Sequence, residues 1–303
     1  MLSLFLMVCA GCAAQAAPNL KLVQVSESVY SAIGATLPPS YENWGHNNNL
    51  SFVIGAQAVL VVNGGDNYAL ASALHQEIRR ITNVPVTWVV NENGQGHAFL
   101  GNSYWREQGV RIIAHEDAVH EIEERGVAVL AAMLERNQER GQGTFVAVPD
   151  ESFRDSRAMD LGRLRIELRS FGKAHSPGDI SVWIPGQQIL IAGDIAFHER
   201  LLGVFPDTDV TAWVKSFEVM AALQPKTVIP GHGHPTTLAE IQWATYDYLR
   251  YLIAQVTELL DSDAGLAEAY KIDQSAYAHL NTFEELAVKN AGRVFQALEL
   301  EYF

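Results

Sequence analysis

The chain has 303 residues, 48% of them hydrophobic and 18% charged, with a formal net charge of −14. That length and apolar share suit a well-buried globular core. The acidic balance excludes docking on phosphate backbones or anionic lipid by counterion release, so nucleic acid is not an expected partner.

Residues 2–11 form a short apolar run ending in small residues, which reads as part of a secretory leader at 1–17 rather than a membrane span. Two processing sites fit it. One is signal-peptidase cleavage at Ala14-Gln15-Ala16; the other is a lipoprotein-like Ala10-Gly11-Cys12 that leaves Cys12 as a lipid anchor. A basic n-region is missing, so the start of the leader is expected to lie upstream. The expected location is outside the cytoplasm, in the periplasm. Both cysteines, Cys9 and Cys12, fall in this leader, so the body of the chain carries no disulfide, thiolate ligand or cysteine nucleophile.

After the leader, residues 22–33 alternate loosely like an edge strand, and Leu37-Pro-Pro-Ser40 with the Asn47-Asn48-Asn49 run marks a loop. Residues 50–62 read as a hairpin turning at Gly55-Ala56. A helix follows with Leu70, Leu74, Ile78 and Ile81 on one face. Residues 84–90 are a buried strand, 110–114 another, and 116–137 are helical. Residues 180–191 laid onto 50–61 match apolar, serine and glutamine positions, which suggests a duplicated hairpin. A helix at 211–223, a strand at 227–229 and a helical tail opening on the capping box Thr237-Leu-Ala-Glu240 complete the chain. Strand-rich halves alternating with amphipathic helices predict a four-layer αββα sandwich, of the α/β (α+β) class. Residues 18–303 read as one domain, with 236–303 a helical C-terminal extension packed on it.

Three stretches carry chemistry: Gly172-x-x-His175-Ser-Pro-Gly-Asp179, Leu190-Ile-Ala-Gly-Asp194 and Pro230-Gly-His-Gly233. Each sets a metal-binding side chain after a strand-like run, in a turn that glycine and proline can shape. Together they resemble the metallo-β-lactamase superfamily over nearly the whole mature chain.

The resemblance implies a metal centre and marks a departure. Family members complete a two-zinc site with a His-x-His-x-Asp-His loop, often just before a Gly-Asn pair. Anchored on Gly101-Asn102, the corresponding positions here are Asn93, Gln95, His97 and Ala98. The first metal position is thereby reduced to His175 with two neutral amides. The second gains His97 where the family has aspartate, which implies one ion, zinc with iron or manganese as alternatives, at His97, Asp194 and His232 with His175 nearby. Asn63 likewise stands where the family commonly has an aspartate that orients the ligand loop.

Asp194, His97 and Glu92 are the expected catalytic residues, Glu92 as general base or as a further carboxylate ligand. Asn93 and Gln95 are expected to hydrogen-bond substrate or a developing oxyanion, and His46 to contact substrate from an overhanging loop. The implied activity is hydrolysis of a small ester, thioester or amide by hydroxide generated at the metal. β-Lactam cleavage is not expected, because the motifs resemble the broader hydrolase branch. The competing reading is a non-catalytic binding or accessory protein that keeps the pocket; the direction of His97 discriminates between the two.

Overall fold

The computed structural model describes residues 18–302, so the leader, its cleavage sites and Cys12 lie outside the described residues. Among the described residues no helix is long and apolar enough to cross a membrane.

Alternating apolar positions build two sheets. The first has seven strands in chain order: β1 (Leu22–Gln24), β2 (Val29–Ala32), β3 (Leu50–Ile54), β4 (Val59–Val62), β5 (Val86–Val90), β6 (Arg111–His115) and β7 (Glu151–Phe153). Between them run α1 (Tyr68–Ile81), α2 (Gly96–Phe99), α3 (Asn102–Glu107) and α4 (Glu116–Asn137). The second sheet contains β8 (Ser156–Asp160), β9 (Arg165–Arg169), β10 (Ser181–Ile184), β11 (Ile189–Phe197) and β12 (Thr227–His232), in the order β12-β11-β10-β9-β8. Its outer face carries α5 (Val210–Ala221) and the tail helices α6 (Leu238–Ile241), α7 (Tyr248–Asp261), α8 (Leu266–Ala269) and α9 (Phe283–Tyr302).

The period of two explains the layering. In β4, Leu60 and Val62 enter the core between the sheets, while Val59 and Val61 pack outward on Leu70, Leu74 and Ile78 of α1. In β11, Ile189 and Ile191 face the same inter-sheet core, while Leu190 and Ala192 pack outward with Trp213, Leu249 and Leu252. The result is the αββα sandwich that the sequence predicts.

Several elements differ from expectation. Residues 22–33 form not one edge strand but a hairpin, with Leu22 opposite Ala32, because the segment folds back between Gln24 and Val29. The strands β7 to β9 escape a reading by hydrophobicity: β9 sends only Ile166 and Leu168 inward, between Arg165, Glu167 and Arg169. The hairpin echo holds in pairing register, with Ile54 opposite Val59 and Ile184 opposite Ile189, but not in face. Val53 and Leu60 point into the inter-sheet core, whereas their counterparts Trp183 and Leu190 point outward. A one-residue offset inverts a strand's faces, so matching sequence positions do not give matching cores here.

Leu60 is fully buried where the two sheets meet. Leu60→Ala is expected to cost about 2–5 kcal/mol of stability through lost burial and the cavity left behind, measured by urea denaturation with unchanged far-UV dichroism.

Candidate metal centre

The centre lies where strand ends from both sheets meet. Glu92 and Asn93 follow β5, His97 sits in α2, His175 occupies the loop between β9 and β10, and His232 ends β12. Asp194 is not in a turn, as the sequence suggests, but inside β11. There the parallel register with β12 slips on both sides of Gly193, whose φ of +64° is a left-handed conformation that glycine adopts at little cost.

Two glycines make room for the carboxylates. A Cβ on Gly193 would stand 2.3 Å from Glu92 Oε2, and one on Gly231 would stand 2.1 Å from Asp194 Oδ1. Larger residues cannot occupy either position without displacing an acid.

Asp194 is the hub. His97 Nε2 lies 3.3 Å from its Oδ2, His232 Nε2 lies 3.3 Å from its Oδ1, and His175 Nε2 lies 3.9 Å from its Oδ2. His97 Nε2 is also 3.4 Å from Glu92 Oε1. His97 therefore points into the cluster. The four residues assigned to metal from sequence, His97, His175, Asp194 and His232, converge on one carboxylate, and Glu92 joins them. Glu92, His97 and Asp194 form the tightest group, each offering an atom within 4.8 Å of the others.

These residues fit a metal ion. Glu92 Oε1, His97 Nε2 and Asp194 Oδ1 are buried with no hydrogen-bond partner, an arrangement costly to keep unless something else satisfies the atoms. Bonds of about 2.0–2.2 Å at tetrahedral angles place ligand atoms roughly 3.3–3.5 Å apart. The two separations at His97 Nε2, 3.4 Å to Glu92 Oε1 and 3.3 Å to Asp194 Oδ2, fall in that range.

A second set of contacts orients the ligands. His232 Nδ1 is 2.5 Å from the Asn47 carbonyl, which requires Nδ1–H to donate and leaves Nε2 with its lone pair toward Asp194. Asn49 Nδ2 donates to the carbonyls of Pro230 (2.8 Å) and Gly233 (2.7 Å), pinning the turn that carries His232. Asn63 Oδ1 accepts from the Glu92 N–H at 3.0 Å, so this asparagine orients the ligand loop without a charge. The loop read from sequence only as an asparagine run thus clamps the metal turn; its unusual composition was the one available signal.

The expected substrate-contacting residues separate. Asn93 is fully buried and donates to both Asp179 Oδ1 (3.1 Å) and Asp194 Oδ2 (3.3 Å), so its amide braces the acids. Gln95 lines the cleft that opens over the centre, a space of about 430 Å³ also lined by His97, His175, His232 and Asn47. His46 is buried and lines a different depression with Lys21, Glu42 and His234. Its neighbour Asn47 reaches the cleft instead. Glu92 is only 2% exposed, which rules out a solvated loop charge.

The electrostatics follow from burial and neighbours. Burial and the adjacent Asp194 push Glu92 up to about 7, against the opposing pull of His97. Burial also opposes charge on Asp194, but His97 and His232 more than offset it and hold this acid well below the usual carboxylate range. Asp179 is driven well above that range by burial and by Asp194. His97 loses solvation on burial, yet Asp194 and Glu92 outweigh that loss and raise it to about 10. His175, packed among Phe197, Phe205 and Trp213, falls to about 4 because burial dominates.

A cluster of imidazoles and carboxylates at converging strand ends, inside an αββα sandwich, defines a metallo-hydrolase-like class of fold. The chain belongs to the metallo-beta-lactamase superfamily, whose model matches residues 74–232. A type 2 metallo-beta-lactamase of Bacteroides fragilis is 24% identical over 220 residues, covering 71% of this chain and 80% of that protein. A linear primary-alkylsulfatase of a Pseudomonas species is 21% identical over 244 residues, covering 68% of this chain but only 46% of the relative. Among solved structures, a metallo-beta-lactamase from Pontibacter korlensis superposes with a TM-score of 0.63 at 18% identity, covering 77% of this chain and 99% of that one. The DIM-1 metallo-beta-lactamase gives 0.62 at 16% identity, covering 78% and 99%. At these identities the structural likeness speaks for the fold.

With its value near 10, His97 is protonated at neutral pH in the metal-free protein, whereas a metal ligand must be neutral. Metal uptake is therefore expected to release protons, and apparent affinity to rise about tenfold per pH unit between about pH 7 and 9, read by titration calorimetry in buffers of different ionisation enthalpy. Gly231→Ala, which forces a Cβ against Asp194 Oδ1, is expected to weaken metal affinity by roughly 10–100-fold in a chelator competition assay.

Proposed function

We propose that the protein is an exported metal-dependent hydrolase with one divalent ion, zinc in the first instance, held by Asp194, His97 and Glu92 with His232, and that it cleaves a small ester, thioester or amide. The observation that carries this reading is the buried cluster in which Glu92 Oε1, His97 Nε2 and Asp194 Oδ1 have no hydrogen-bond partner and His97 Nε2 lies 3.4 and 3.3 Å from Glu92 and Asp194, beneath a cleft lined by His97, His175 and His232. When bound, a divalent ion there supplies a Lewis acid and lowers the pKa of water.

The chain's own residues supply position and charge. Asn93 braces Asp194 and Asp179, and its full burial keeps its amide from reaching substrate. Gln95, on the cleft wall, takes the substrate-facing role and offers amide donors to a carbonyl oxygen. Asn93, standing where the family has its first histidine, favours one ion over two, because an amide is a poor zinc ligand. The names of the relatives, a metallo-beta-lactamase and an alkylsulfatase, support hydrolysis but point to different bonds. The apolar leader supports export.

The test is metal analysis of protein purified without chelator, followed by assay on aryl ester and thioester panels. About one ion per chain is expected. Asp194→Asn and His97→Ala are expected to lose the ion and to lower turnover by about three orders of magnitude, equivalent to about 4 kcal/mol of barrier. Protein that takes up no divalent ion under saturating zinc, iron or manganese overturns the proposal. An ion without turnover on any panel favours the accessory reading.

A further inference from the structure

A second depression adjoins the metal cleft. It encloses about 530 Å³ between the loop after β11, the end of α8 and one face of α9. The two spaces share Gly203, Phe205 and Leu286 as walls, but no residue of the metal cluster lines this one. Its walls are fixed to one another. Asn290, fully buried in α9, accepts from the Val204 N–H at 2.9 Å and donates to the Leu202 carbonyl at 2.8 Å, which ties the loop to the helix. Gly292 stands in the interior of α9, where glycine is disfavoured, and a Cβ there would lie 2.4 Å from Tyr270 Cε1. The missing side chain makes room for the Tyr270 ring against the helix.

Three large apolar side chains stay exposed around this space: Phe205 at 45%, Tyr270 at 47% and Val288 at 52%. Apolar groups gathered in one hollow, rather than scattered singly, mark a binding surface. Beside them Lys289 and Arg293 stand one helical turn apart on α9, a spacing at which like charges repel. Neither joins an ion pair among the described residues, and Arg293 reaches only Gln296 Oε1, at 3.3 Å. No carboxylate lines the depression, although the chain carries 35 acidic residues against 21 basic ones. Apolar walls with a positive edge, on an acidic protein, complement an amphiphile of negative charge.

We propose that this depression is a second ligand site, separate from the metal cleft, that takes a soluble amphiphilic anion. Its alkyl or aryl body lies against Tyr270, Phe205 and Val288, and its single acidic head, a carboxylate or a sulfonate-type group, sits between Lys289 and Arg293. The site needs neither the ion nor hydrolysis, so it stands apart from the function proposed above.

Titration calorimetry on the full-length protein tests this with octanoate, octanesulfonate and the uncharged octanamide, all below micelle formation, and with anionic phospholipid vesicles. Wild-type protein is expected to bind at least one of the two soluble anions at about one per chain, and about tenfold or more tighter than the amide. Joint substitution of Lys289→Gln and Arg293→Gln, both at exposed positions, is expected to erase that gap and to keep the affinity for the amide. Tyr270→Ala is expected to weaken all three soluble probes by about tenfold. Phe205 is left intact because its ring also packs against His175. Equal binding of anions and amide, or binding of no soluble probe, overturns the proposal. So does a gap that survives the double substitution, as seating in the metal cleft would give, or unchanged affinity in Tyr270→Ala. Many anions bound per chain, or binding to vesicles without the soluble probes, overturns it in favour of a detergent-like or membrane surface.

Discussion

The buried carboxylate of Asp194 organises everything around it. An acid this deep in a protein is tolerated only if its charge is answered at short range. The His97 imidazolium, from a helix after β5, does so, and the rings of His175, from a loop before β10, and His232, at the end of β12, complete the cluster. Each arrives from a different part of the chain, so satisfying one oxygen pair requires both sheets to be assembled and in register. The same demand explains the glycines at 193 and 231, where any side chain would enter the space of a carboxylate.

Charge is distributed so that the metal-free cluster holds a proton where an ion would sit. The His97 imidazolium lies between Glu92 and Asp194, while His232 and His175 are kept neutral by burial and are ready as lone-pair donors. Asn93, by donating to two acids at once, does with an uncharged amide what a further cation would otherwise have to do. The replacement of family histidines by Asn93 and Gln95 therefore divides into two effects: one amide has moved into the support of the acids, and the other remains at the cleft.

Support extends outward through backbone carbonyls. Asn47 fixes the tautomer of His232, Asn49 pins the turn on either side of it, and Asn63 ties the start of the Glu92 loop to the first sheet. Asn47 and Asn49 bring the loop between β2 and β3 of the first sheet into contact with the end of β12 in the second. Beyond them the cleft changes character: its walls are largely apolar.

Much of this was legible in the chain alone. The unbroken apolar runs of β4 and at the start of β11, the periodic face of α1 and the capping box at Thr237 fix element type through local sterics and hydrophobic patterning. The three glycine-bearing motifs mark His175, Asp194 and His232, and the glycines beside the last two allow close backbone approach, although Asp194 sits inside β11 and not in a turn. Tertiary structure alone decided the rest. That Glu92 is a buried member of the cluster, that Asn93 faces acids rather than substrate, and that His46 turns to another depression while Asn47 enters the cleft, all depend on which groups distant segments bring within a few ångströms. Periodicity reports which face of an element is apolar; the partner of a single polar atom is set by the packing of the whole fold.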